Sequence, residues 1–184
     1  MNNNYFPNKL FHYYNKEDGP FRSISRLSIT DAYLLHNKLK DDKRRFASKR
    51  DGQYLSKRRK IEENIRSMLL AKGGKPKITK PHYFVLGECK WLLEWYPEGE
   101  TICVPIELLD ENVISFTYGD SLPTFFHEDG KPYRKQIFQL SELPKIIETY
   151  GLPQIVNPNG EKGPDRYIEA QLWTDDPIVS YLNK

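Results

Sequence analysis

The sequence predicts an α+β fold: a mainly antiparallel sheet of about five strands with two N-terminal helices packed on one face. Three observations lead there. Strong helical periodicity is confined to residues 30 to 72, aromatic and β-branched runs cut by turn residues dominate after Pro81, and those runs follow one another through short connections. No Ser/Gly/Pro-rich linker interrupts the 184 residues, so a single domain, 1–184, is expected. Residues 1–80 form its helical, basic part and residues 81–184 its mainly β, acidic part.

Thr30 followed by DAYLLHNKLKDDKRR reads as an N-cap leading into a helix over about 30 to 44. Asp31 lies near the positive end of the dipole, and Leu34, Leu35 and Leu39 form an apolar stripe. A second helix is expected over about 51 to 72, since Tyr54, Ile61, Ile65 and Met68 fall at helical spacing. Ser48 and Asp51 mimic a capping box, and Gly73-Gly74 supplies the stop. Beginning near Asp51 keeps the cations Lys57 to Lys60 out of the first turn, where they would oppose the macrodipole. Arg58 with Glu62 and Arg59 with Glu63 then form i,i+4 pairs.

Five strands are expected from HYFVLGEC, TICVPI, VISFTYG, YRKQIFQL and RYIEAQLW. KWLLEWY continues a strand or forms a short helix, ELPKIIETY is a short helix capped by Ser141 and closed by Gly151, and DDPIVSYL ends the chain as another.

With 38% apolar residues, the core depends on 12 Tyr, 9 Phe and 3 Trp. The apolar runs fall far short of the roughly 20 residues that span a bilayer, and the opening MNNNYFPNKLFHYY has no signal-like apolar stretch, so a cytoplasmic setting without membrane contact is expected. Cys89 and Cys103 lie in apolar runs without Cys or His at ligand spacing, which suits buried thiols and offers neither a disulfide framework nor a metal site.

Net charge is +3, but residues 38 to 80 hold 16 Lys/Arg against 5 Asp/Glu, whereas residues 81 to 184 hold 8 against 17. Such a split describes either a basic surface for a polyanion or a basic arm folded onto its own acidic body. In the first case the binding residues are Arg44, Arg45, Lys49, Arg50, Lys57, Arg58, Arg59, Lys60, Lys75 and Lys77, interleaved with Phe46 and Tyr54, the residue types that neutralise phosphates and stack on bases. KGGKPK lacks the P-loop frame and follows a helix instead of a strand. The leading functional expectation is therefore an interaction protein that contacts nucleic acid or an acidic protein partner through this basic helical face.

Two further groupings could carry chemistry. Asp120, Ser121, His127, Glu128, Asp129 and Arg134 crowd into fifteen residues that also read as ordinary turns. LFHYY with His12, HYFVLGE with Tyr83 and RYIEAQLW with Glu169 together resemble the diphtheria-toxin-like ADP-ribosyltransferases. That resemblance implies NAD as substrate, with His12 holding the nicotinamide ribose, Tyr83 stacking on nicotinamide and Glu169 stabilising the oxocarbenium-like transition state. The chain departs from the family in having little of its glycine pattern after the first strand. As a whole, through FASKRDGQYL, KGGKPK, HYFVLGECKWL, SFTYGDSLPTF, GKPYR and GPDRYIEAQLW, it also resembles a protein family of bacilli and related Gram-positive bacteria. This second resemblance implies a bacterial or phage origin and a cytoplasmic setting, and it brings no activity and no site residues.

Overall fold

The structure, a computed structural model, describes residues 6–182. Five strands, β1 (Lys9–Asn15), β2 (His82–Leu86), β3 (Gly99–Pro105), β4 (Ile114–Tyr118) and β5 (Ile168–Leu172), form one sheet in the order β3-β1-β2-β5-β4. Every neighbouring pair is antiparallel, and the fold is α+β. The α-helices are α1 (Ile29–Asp41), α2 (Tyr54–Ala71), α3 (Ser121–Phe126), α4 (Leu143–Tyr150), α5 (Pro153–Val156) and α6 (Val179–Leu182).

One of the five strands is not where the sequence points. YRKQIFQL makes turns and a single bridge between Phe138 and Phe116. Lys135 adopts a left-handed φ of 57°, while Arg134 is turned aside to bind two aspartates, and both features break an extended run. The fifth strand is instead LFHYYN near the N-terminus, which pairs with β2 on one side and β3 on the other. KWLLEW is a 3₁₀ helix.

Register sorts the side chains into two faces, because strand side chains alternate and cross-strand partners point the same way. Leu10 pairs with Leu86, Phe84 with Ala170, and Phe116 with Ala170, which places them with Ile114, Ile168 and Leu172 on one face. That face is fully apolar at its centre and is covered by Leu143, Ile146 and Ile147 of α4, by Leu152 and by Ile178. α2 lies across the opposite face, where Ile61, Ile65 and Leu69 bury themselves against Trp173 and Ile137. Both faces of the sheet are thus covered, each by a different helix. α1 packs through Ala32 and Leu35 on Tyr54 and Leu55 at the start of α2.

Local chemistry explains the helix ends. The cap of α1 lies two residues before Thr30, because the Ser28 side chain accepts from the Asp31 N–H at 3.1 Å and so serves as the cap. Leu34, placed on the inner stripe by the sequence reading, is 64% exposed, since the buried face runs through Ala32 and His36. α2 ends where Gly73 takes a φ of 87° and the Gly74 N–H reaches back to the Leu69 carbonyl at 2.9 Å. At Gly74 a Cβ would meet the Leu69 side chain at 2.5 Å. Cys89 is buried, as expected, whereas Cys103 is exposed on β3, one of the two edge strands.

The register of α2 gives an internal control. Leu69 is fully buried and its neighbour Leu70 is 47% exposed. Leu69→Ala is expected to cost roughly 2–5 kcal/mol of unfolding free energy, and Leu70→Ala about 0.5 kcal/mol or less. Urea denaturation of the two variants checks this; equal losses would mean that α2 is rotated.

Candidate active site on the polar face of the sheet

The face of the sheet beneath α2 begins apolar at Trp173 and becomes polar toward β2. Strand β5 reads Ile168-Glu169-Ala170-Gln171-Leu172, an alternation that normally leaves the polar residues in water. Here all five side chains are buried, as are all five of β4. The polar ones therefore satisfy one another. The Trp173 indole N–H donates to Ser115 Oγ at 3.0 Å, Ser115 Oγ donates to Gln171 Oε1 at 2.8 Å, and Gln171 Nε2 donates to Thr117 Oγ1 at 3.1 Å and to Glu169 Oε1 at 3.0 Å.

Glu169 stands at the end of this chain. It is 5% exposed and forms no ion pair among the described residues. Burial, reinforced by the charge of nearby Asp120 and only partly opposed by Arg58, pushes its pKa up to about 7. Asp120 caps α3 by accepting from the Leu122 N–H at 2.8 Å and also accepts from the Tyr167 hydroxyl at 2.9 Å. Gly119, one residue earlier, has a φ of 98°, and a Cβ there would lie 2.4 Å from Asp165 Oδ1. The close turn that aims Asp120 at this site therefore requires glycine.

α2 contributes Arg58 and Glu62, one turn apart on the helix. The Arg58 guanidinium lies 3.5 Å from the centre of the Tyr83 ring, and its Nε is 3.3 Å from Glu62 Oε1. Glu62, 0% exposed, also accepts from the Tyr83 hydroxyl at 2.9 Å and from Ser25 Oγ at 2.7 Å, and its second oxygen is 3.4 Å from Lys80 Nζ. Burial raises the Tyr83 and Tyr167 hydroxyls well above their usual range, so both remain protonated donors. Burial opposes the charge of Arg58, yet the surrounding tyrosines and carboxylates hold its guanidinium protonated.

The three residues singled out by the ADP-ribosyltransferase resemblance separate by face. Tyr83 and Val85 pair with Gln171 and Glu169, so Tyr83 and Glu169 are diagonal neighbours on the polar side. His12 points to the other side, with its ring stacked on Phe21 at 4.1 Å between centroids. Its Nε2 accepts from the Phe21 N–H at 2.9 Å, so Nδ1 carries the proton and donates to the Tyr83 carbonyl at 2.9 Å. Burial lowers its pKa to about 4, which keeps it neutral. His12 does not share a cleft with Glu169, because strand alternation puts them on opposite sides of the sheet. The sequence reading attached no chemistry to Glu62 or Tyr167; a charged residue on the otherwise apolar stripe of α2 was the visible signal for Glu62.

The ten basic residues proposed as a polyanion surface are mostly engaged within the chain. Arg44 forks onto Asp42 at 2.9 and 3.0 Å, and Arg45 binds Asp18 and Asp42. Lys57 donates to Asp51, Arg59 to the Leu27 carbonyl, and Lys77 to Asp176. Lys49 lies 5.5 Å over Phe46 and Arg50 4.2 Å over Tyr54, while Arg58 is buried in the site just described. Lys60 and Lys75 are exposed and form no ion pair among the described residues. The second expected pair, Arg59 with Glu63, gives way to the Leu27 contact. Most of these ion pairs stay within residues 1–80; among the described residues, Lys72 with Glu142 and Lys77 with Asp176 are the ones that join the basic stretch to the acidic half.

The crowded loop after β4 is likewise used structurally. Arg134 binds both Asp129, at 2.8 and 2.7 Å, and buried Asp165, at 2.7 and 2.9 Å. Burial alone would raise the Asp165 pKa, but hydrogen bonds from Arg134, Tyr133 and Lys131 outweigh it and hold the carboxylate ionised. Among the described residues no group of three His, Cys, Asp or Glu side chains is arranged to hold a metal ion, and no helix is long and apolar enough to cross a membrane.

The raised pKa of Glu169 fixes a sign. The folded protein holds this proton more tightly than the unfolded chain, whose carboxyl titrates near 4.5. Full stability is therefore present below about pH 4.5 and is lost as pH rises through 7. Glu169→Gln is expected to raise the thermal midpoint above that of the parent at pH 8, by about 2–4 °C for each kcal/mol relieved, and to leave no difference at pH 4. Calorimetry across this range checks the prediction; a constant offset would show that Glu169 does not titrate as described. No protein-family model matches this chain, nor does any curated protein or solved structure at a significant level, which leaves the chemistry of the site as the ground for a functional reading.

Proposed function

We propose that this chain is an NAD-consuming enzyme of the ADP-ribosyl transfer class, with Glu169 as the carboxylate that faces the reacting ribose. The single observation that supports this most is the state of Glu169: a buried carboxyl without a paired cation, its pKa near neutrality, beside a stacked arginine. Burying such a group costs free energy unless it is compensated, and perturbed carboxyls of this kind gather at functional sites. In the reaction, the bond from C1′ of the ribose to the nicotinamide nitrogen breaks, and its electron pair leaves with the ring, which becomes neutral. Positive charge develops on the ribose, where ionised Glu169 stabilises it. The acceptor nucleophile bonds to C1′ and loses a proton, which a carboxylate of pKa near 7 is suited to take.

Arg58 supplies positive charge for the diphosphate. The Tyr83 ring is covered by that guanidinium, so its part in this reading is to orient Arg58. His12, with both nitrogens spent on the backbone, serves the sheet.

Nicotinamide release from NAD, measured by chromatography, is expected to rise with pH as Glu169 ionises through about 7. Glu169→Gln should lower it by about 10²-fold or more while the protein stays folded, and Arg58→Lys should lower it as well, because an ammonium cannot reproduce the stacked fork. A chain that neither binds nor consumes NAD would overturn this reading.

A second reading has its own observation. Lys49, Phe46, Trp95, Trp91 and Arg166 form a ladder in which Phe46 stacks on Trp95 at 3.9 Å and Arg166 on Trp91 at 3.7 Å. Cations bracketing half-buried rings suit a single-stranded nucleic acid, as partner or as acceptor. Binding of a fluorescent oligonucleotide should then weaken steeply with salt, and Lys49→Glu should flatten that slope by about 1. Salt-independent binding would count against it.

A further inference from the structure

We infer that the groove between α2 and α3 is a binding site for a small organic anion with an apolar body, of which an alkyl carboxylate is the simplest form. The groove has a volume of about 440 Å³, within the range typical of small-molecule pockets, which combine an apolar lining with a few polar groups. Its floor is Met68 and Phe125, at the margin of the cluster around Trp173. Its lip carries Lys60, Asn64 and Lys135, and Phe126, 47% exposed, forms a wall that solvent reaches freely. A third ammonium, Lys57, lies 6.0 Å from the Phe126 ring but is paired with Asp51.

The charged residues that line this groove are all cations. No carboxylate lines it. Lys60 forms no ion pair among the described residues, and Lys135 pairs only with Glu128 at 3.2 Å, both side chains being more than half exposed, a geometry of little energetic worth. An apolar floor below two available ammonium groups therefore selects for an apolar tail joined to a negative head. It discriminates against a cation of the same length by repulsion, and against a neutral analogue by the missing charge contact. The occupant would also cover Phe126. The inference stands apart from the NAD reading, because none of the groove residues belongs to the Glu169 cluster.

The test uses the full-length protein with [¹³C-methyl]methionine. The chain contains two methionines, so the Met68 signal is assigned by its loss in Met68→Leu. Decanoate is expected to move the Met68 methyl resonance saturably, decanol more weakly, and decylamine not at all at equal concentration. The double variant Lys60→Glu, Lys135→Glu, whose folding is verified by its thermal midpoint, is expected to bind decanoate roughly tenfold more weakly. The inference is overturned if decylamine or decanol moves Met68 as far as decanoate does, if the decanoate shift does not saturate, or if the double variant binds unchanged. None of these readouts involves NAD, so failure here leaves the Glu169 proposal standing, and the converse holds too.

Discussion

One carboxylate, Glu62, ties together parts of this chain that have no other reason to meet. Its two oxygens engage Ser25 from the segment before α1, Arg58 from the preceding turn of α2, Lys80 from the approach to β2, and Tyr83 within β2. A fully buried carboxylate is tolerable only when its lone pairs are matched and its charge offset. Removing both cations would leave an uncompensated charge in a low-dielectric interior, and removing Ser25 or Tyr83 would strip it of a hydrogen bond. The consequence is positional: α2 is fixed in rotation and translation over the sheet, and Arg58 is placed on Tyr83 with little freedom to leave it.

That constraint explains why the polar face can be polar. A helix held only by apolar packing would be best served by an apolar sheet beneath it. Here the apolar contact of Ile61, Ile65 and Leu69 with Trp173 and Ile137 occupies one part of α2, and the Glu62 network fixes the other. Between them the sheet can afford Ser115, Thr117, Gln171 and Glu169. Three of these four form a chain of hydrogen bonds from Ser115 through Gln171 to Thr117, while Glu169 receives only the Gln171 amide among them. Glu169 thus takes one donor from this network and, among the described residues, forms no ion pair to offset its burial.

Much of the fold was legible in the chain because it is written locally. Helical periodicity located α2, the Gly73-Gly74 pair located its end, and β-branched and aromatic runs located β2, β3, β4 and β5. The misplaced strand shows the limit of that legibility. YRKQIFQL has strand composition, but Arg134 is claimed by Asp129 and by Asp165, a residue 31 positions away, and no local pattern reveals a partner at that distance. LFHYYN has equal claim to be a strand, and its interior position in the sheet depends on pairing with segments more than 70 residues later. Similarly, the alternation of β5 indicated a strand correctly but gave no hint that its polar side would be buried, since burial is a property of what α2 covers.

The candidate site was visible in part, for a related reason. Tyr83 and Glu169 came to notice through a family resemblance, and period-two geometry brings them to the same face through the pairing of β2 with β5. The same geometry removes His12, whose parity in β1 is fixed by Leu10 opposite Leu86. Arg58 was noticed for its charge and assigned to a surface, although one turn of helix separates it from Glu62 and that spacing already suggested a pair. The difference between a basic face and a buried guanidinium lies in whether the i+4 carboxylate faces water or the sheet. An apolar stripe of Ile61, Ile65 and Leu69 places Glu62 on its inner flank, so the pair turns inward and carries Arg58 with it. The basic run therefore does several kinds of work: Arg44, Arg45, Lys57 and Lys77 neutralise acids of this same chain, and Arg58 brings a fixed positive charge to the side of a carboxyl that lacks its own.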